Sequence, residues 1–175
     1  DLLQEQIDGL ILDLRDNPGG LLNAAVSILD LFTPENQLLV WTEGKTQKSQ
    51  KKYYSKNPSL VPDDFKITIL VNQGSASASE IVAGVLQDLD RAVVIGRSTF
   101  GKGLVQTVYN IDRDRSLKIT TAKYYIPSGR LIQKPGYLPN EILADTSEQD
   151  TLFYTKSGRE VSGAGGIVPD YVIEL

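Results

Sequence analysis

An α/β domain built around a largely parallel sheet is the fold class this sequence predicts. Three observations carry the expectation: apolar runs short enough to be buried strands, small-residue turns that follow them, and helical periodicity directly after two of those turns. With 175 residues, 41% of them hydrophobic, the chain can bury one core, and a single domain over 1–175 is expected.

The elements follow in order. Gly9 to Leu14 is an apolar run stopped by Asn17-Pro18-Gly19-Gly20, which reads as a buried strand entering a turn. Leu21, Ala24, Ala25, Ile28, Leu29 and Phe32 then recur at helical spacing, with Pro34 past the end. Leu38 to Thr42 reads as a strand, and the polar stretch 43–62, with four lysines in its first ten residues, as an exposed excursion or hairpin whose charges face solvent. Lys66 to Asn72 is a strand, Gly74 to Ser79 a run of small residues, and Ile81, Val82, Val85, Leu86 and Leu89 mark a second helix. Ala92 to Ile95 is the next strand. Leu104 to Ile111 and Leu117 to Ile126 alternate like strands of a more exposed sheet and open a β-rich C-terminal half. Residues 127–150 read as loop, Leu152 to Val161 as a hairpin about Ser157-Gly158, and Ile167 to Ile173 as a terminal strand interrupted by Pro169.

The chain has no His, Cys or Met. That excludes a Ser-His-Asp triad, a Cys-His dyad and a zinc site of the His/Cys kind, and leaves acid-base work to Asp, Glu, Lys or Tyr. The net charge of −4 argues against nucleic acid or an anionic membrane as partner. No segment approaches the roughly 18 consecutive apolar residues of a membrane helix. The N-terminus Asp1-Leu2-Leu3-Gln4-Glu5-Gln6 lacks the features of a signal peptide and there is no initiating Met, so a fragment or a processed product is expected.

Gln73-Gly74-Ser75-Ala76-Ser77-Ala78-Ser79-Glu80 lies between a buried strand and a helix, where many folds expose a nucleophile beside free backbone amides. Ser77-Ala78-Ser79-Glu80 also fits a capping box, in which Ser77 caps the helix and Glu80 reaches back. It is not a Gly-x-Ser-x-Gly elbow, because position 79 is Ser. A serine hydroxyl needs a base, and without histidine the candidate is a lysine withdrawn from water. Lys102, in Thr99-Phe100-Gly101-Lys102-Gly103-Leu104, is flanked by glycine and apolar residues, and a turn between Ile95 and Leu104 can return it to the end of the sheet that carries Ser77. Gly96 to Lys102 also matches the start of a phosphate loop. Gly103 stands where that motif needs Ser or Thr, and a strand follows where it needs a helix, so no nucleotide is expected. The glycines of Asp13-Leu14-Arg15-Asp16-Asn17-Pro18-Gly19-Gly20 either supply a plain turn or let a backbone amide approach a substrate.

Taken together, Leu12 to Leu21, Gly74 to Glu80, Thr99 to Gly103 with Gln106, and Gly165-Gly166-Ile167-Val168-Pro169-Asp170 resemble the carboxyl-terminal processing (tail-specific) proteases, over about Ile7 to Val172. The resemblance implies a crotonase/Clp-protease-like core of parallel-rich strands and helices, with a β-rich portion at 127–175. It implies that Ser77 attacks, Lys102 deprotonates it, Gln106 positions the lysine, and the amides of Gly20 and Ala78 form an oxyanion hole. It further implies cleavage of proteins near an apolar C-terminus, outside the cytoplasm, with the substrate laid against the enzyme as an added strand and with no cofactor. The PDZ domain usual in that family is expected to be absent from this chain, and a homo-oligomer is compatible with it. The alternative is a non-catalytic module of the same fold that holds extended peptides.

Overall fold

The structure, a computed structural model, describes residues 7–134, 152–163 and 165–173. Two sheets of opposite character organise them. The first has the order β1-β4-β5-β10, with β1 (Gly9–Asp13), β4 (Lys66–Val71), β5 (Val93–Gly96) and β10 (Tyr171–Val172) all parallel to their neighbours. β1 and β4 run in register from Gly9 opposite Lys66 to Asp13 opposite Leu70, and β4 and β5 from Thr68 opposite Val93 to Val71 opposite Gly96. Parallel strands in register deliver the turns at their C-terminal ends to one edge, the place where open α/β sheets bind ligands.

The second sheet is antiparallel, in the order β3-β2-β7-β6: β2 (Leu38–Glu43), β3 (Lys51–Tyr54), β6 (Leu104–Asn110) and β7 (Ser116–Tyr125). The expected parallel pairing therefore does not extend to β2, which joins β3 and β7 instead. The stretch 43–62 contributes β3 and so closes a hairpin with β2. A third, two-stranded unit pairs β8 (Leu152–Tyr154) with β9 (Glu160–Ser162) around the predicted turn. Of the expected terminal strand only Tyr171–Val172 pairs, because Pro169 has no N–H to give and residues 166 and 167 bond elsewhere, to Ile132 and Thr99. The expected loop at 135–150 lies outside the described residues.

α1 (Leu22–Asp30) buries Ala25 and Leu29 on one face, as its periodicity requires. α2 (Ala78–Asp88) is buried along its whole length. One core cluster joins Ile67, Ile69 and Val71 of β4, Ile81, Val85 and Leu86 of α2, Leu39 and Val40 of β2, and Tyr124 of β7. Each such aliphatic side chain stabilises the fold by about 1.5–3 kcal/mol on burial. The C-terminal end of α2 is held by charge: Arg130, 1% exposed, pairs with Asp88 at 2.7 Å and donates to Gln87 Oε1 at 2.7 Å and to the Ser162 carbonyl. Burial pushes the Asp88 carboxyl up, and Arg130 pulls it partly back.

Candidate active site

The site grows from three turns at the C-terminal edge of the parallel sheet. β4 ends at Val71, and the chain turns through Asn72 to Ala76 before Ser77 starts α2. Ser77 has φ 56° and ψ −115°, a conformation that side-chain-bearing residues rarely adopt. The backbone thus makes the sharp strand-to-helix bend that a nucleophile elbow makes, although its glycine motif is missing. Ser75 anchors the bend from inside: its hydroxyl donates to the Leu14 carbonyl at 2.7 Å and accepts from the Asn72 amide at 3.0 Å.

The turn after β1 is seated on this bend. The Ala76 amide donates to the Asn17 carbonyl at 3.0 Å, the Asp16 amide to Asn72 Oδ1 at 2.9 Å, and Asn72 Nδ2 to Asp16 Oδ1 at 3.0 Å. Gly19 has φ +86°, and a β-carbon there would lie 2.4 Å from the Ala76 carbonyl oxygen, 2.6 Å from the Ala78 nitrogen and 3.1 Å from the Ser77 β-carbon. Only glycine fits that contact. A β-carbon on Gly20, by contrast, would meet nothing within 4 Å, and Gly20 is exposed. α1 starts just beyond with Leu21 at its N-cap and no capping side chain.

The third turn carries Lys102. Thr99 exchanges bonds with Ile167, its amide to the Ile167 carbonyl at 3.1 Å and the Ile167 amide to its hydroxyl at 2.7 Å, which gives the Gly165-to-Asp170 segment a place in the site. The Phe100 amide donates to the Ser75 carbonyl and Gly103 to Gln133 Oε1. The chain then enters β6, a strand where a phosphate loop needs a helix, so Gly96 to Lys102 forms no phosphate cradle of that kind.

Glu80 ties the second and third turns together. It is fully buried, its Oε1 accepting from Thr99 Oγ1 and the Gly101 amide, both at 2.6 Å, and its Oε2 from the Ser77 amide at 2.7 Å and the Lys102 amide at 2.9 Å. One carboxylate therefore holds the backbone of both residues singled out from the sequence. The capping box foretold the bond to Ser77; the other three donors come from residues 99–102, which only the tertiary fold brings near. Tyr124 adds a second link, its hydroxyl donating to the Lys102 carbonyl and, at 3.4 Å, to the Ser77 carbonyl. Burial, and then the negative charge of Glu80, push its phenol well above the ordinary value, so it stays a donor.

Gln106 reaches this face through an irregularity. Val105 pairs with Ala122, and the next pair is Gln106 with Thr120, so the register slips by one residue. Without the slip Gln106 would share a face with Thr121 and Lys123; with it, Gln106 lies on the side of Ala122 and Tyr124. Lys102 itself is half-buried and makes no ion pair among the described residues. Among the described residues no cluster of acidic side chains could hold a metal ion, and no helix is long and apolar enough to cross a membrane.

This combination, a strained serine at a helix start braced to a lysine turn, sits in a chain whose residues 1–143 match the profile of peptidase family S41. The chain belongs to that family. It is 45% identical over 139 residues to the carboxy-terminal-processing protease of Bartonella bacilliformis, covering 79% of this chain and 32% of the relative, and 44% identical over 142 residues to the carboxyl-terminal-processing protease of Synechocystis, covering 81% and 32%. In three dimensions it is similar to the photosystem II D1 C-terminal processing protease, with a TM-score of 0.70 and 29% identity over 99% of this chain and 36% of that one. The chain thus spans about a third of the length of the curated relatives it matches.

Proposed function

We propose that this chain is the catalytic core of a serine endopeptidase that cuts proteins near apolar C-termini by way of an acyl-enzyme. Ser77 Oγ attacks the scissile carbonyl carbon while its proton passes to the neutral amine of Lys102; the Gln106 carboxamide accepts a hydrogen bond from that amine and aims it. The amides of Gly20 and Ala78 donate to the oxyanion of the tetrahedral intermediate. Collapse breaks the C–N bond, and the amine leaves with the proton from Lys102. Water, deprotonated by Lys102, then attacks the ester and releases Ser77.

The observation that carries this reading is the backbone of Ser77, held at positive φ on the N-terminus of α2 while Glu80 binds both its amide and that of Lys102. Strain of about 1–3 kcal/mol at one residue persists only where the surroundings impose it, and here it sets the serine at the very start of α2, next to Ala78. The exposure of Gly20 and the uncapped start of α1 support the oxyanion assignment. The register slip before Gln106 supports its part. We assign the core to the crotonase/Clp-protease type on its parallel sheet with α1 and α2, and place the protein outside the cytoplasm on the strength of its family.

The test is turnover of an apolar-tailed protein by the intact protein and by its Ser77→Ala and Lys102→Ala variants. Loss of cleavage in both, with unchanged circular dichroism, is expected. Cleavage at the parental rate by either one overturns the reading, and retained peptide binding with no cleavage by the parent favours the non-catalytic module.

A further inference from the structure

The antiparallel sheet has two faces, and only one looks toward Ser77. On the other lies an open groove of about 1120 Å³, lined by Trp41, Glu43, Thr107, Tyr109 and Tyr125 together with Lys45, Lys48, Lys52 and Lys123. The register explains the composition: Trp41 opposes Tyr125 and Lys52, and Glu43 opposes Lys123, so side chains from three strands point the same way. Trp41 and Tyr125 stack with ring centroids 5.4 Å apart and planes 13° apart, forming a flat aromatic floor. Trp41 Nε1 donates to Glu43 Oε1 at 3.1 Å, which occupies an oxygen of the one acidic side chain in the groove.

Lys52 and Lys123 share the Trp41 face by register, Lys45 and Lys48 border it from the turn between β2 and β3, and among the described residues none of these lysines has a carboxylate partner. The chain as a whole is acidic, with net charge −4, so the groove is a local reversal of sign. Like charges gathered on one concave surface raise its potential and draw anionic groups to it. The volume exceeds what a single small anion fills and suits several residues of extended chain. The lysines carry no guanidinium fork among them, so the groove lacks the bidentate phosphate recognition that arginine provides. Its concavity and aromatic floor suit a side-chain-bearing polypeptide better than a flat lipid surface.

We infer that this groove is a docking site for an acidic, extended polypeptide segment, its carboxylates on Lys45, Lys48, Lys52 and Lys123 and its apolar parts on the Trp41–Tyr125 stack. β6 starts two residues after Lys102 with Leu104 opposite Lys123 of the groove, while the next residue, Val105, packs against the core, so the groove and the Ser77 side flank one strand. On the proteolytic reading, from which it takes its role, the groove captures substrates that carry an acidic stretch and lowers KM for them without changing kcat.

Trp41 is the chain's sole tryptophan, so its fluorescence reports occupancy directly. Titration of the intact protein with a short oligoglutamate peptide is expected to give a saturable change that weakens with added salt, and the Lys48→Glu/Lys52→Glu double variant is expected to bind roughly tenfold more weakly with its circular dichroism unchanged. Oligoglutamine of the same length, phosphatidylglycerol vesicles and a single-stranded oligonucleotide are expected to produce no such change. No response to oligoglutamate, equal binding by the double variant, or a stronger response to vesicles or oligonucleotide overturns the inference and leaves the Ser77 mechanism standing. Saturable binding by a protein that cleaves nothing has the opposite meaning: the groove stands and the protease reading falls.

Discussion

Replacing Glu80 with Gln is the most informative single change. Its two oxygens serve different pairs, Oε1 taking Thr99 and Gly101 and Oε2 taking Ser77 and Lys102, all four donors within 2.9 Å. A carboxamide has the same shape but one oxygen, so it can satisfy only one pair and must turn an NH₂ group against the other two donors. A hydrogen bond to a charged acceptor contributes about 1.5–3 kcal/mol, so the loss of two costs at least about 3 kcal/mol. For a domain of this size that lowers Tm by roughly 6–12 °C. Because either pair lost contains backbone of the Lys102 turn, kcat is expected to fall with KM little changed. The assay is urea unfolding followed through Trp41, with proteolysis measured below the transition. A Glu80→Gln protein within about 1 kcal/mol of the parent and fully active would refute the view that this carboxylate braces the site.

Other substitutions separate the roles of neighbouring residues. Gly19→Ala is expected to displace the Ser77 bend, since the added carbon meets backbone at 2.4 and 2.6 Å on a positive φ, and to abolish cleavage while costing about 1–3 kcal/mol; Gly20→Ala, with open space around it, should leave stability within about 0.5 kcal/mol in thermal unfolding. Arg130→Ala strands the buried Asp88 carboxylate and is expected to cost about 3–5 kcal/mol at neutral pH. Because burial already raises Asp88 above its unfolded value, its protonated form is the one folding favours. The deficit of Arg130→Ala should therefore shrink as pH falls toward the acid range, read by urea unfolding at several pH values.

Local chemistry was legible in the sequence, and pairing between distant segments was not. Helical spacing located α1 and α2, apolar runs located β1, β4 and β5, and the small-residue turns marked both Ser77 and the Gly19-Gly20 bend, because each of these signals spans only a few adjacent residues. β2 looks like any other buried strand, yet its partners are β3 and β7, and nothing in Leu38 to Glu43 distinguishes an antiparallel from a parallel neighbour. The lysines of 45–52 read as a solvated run, and the face that Lys52 shares with Lys123 and Tyr125 appears only once β7 pairs with β2. Glu80 is the clearest case. Its capping role is written three residues from Ser77, while its grip on Thr99, Gly101 and Lys102 depends on a fold that returns the chain after β5.

A peptidyl phosphonate that reacts only with an activated serine addresses the proposed chemistry without any choice of natural substrate. Mass spectrometry of the labelled protein should find one adduct, on Ser77, and none on the Lys102→Ala variant. An adduct on Ser75 or Ser79, or equal labelling of Ser77 when Lys102 is gone, would contradict it.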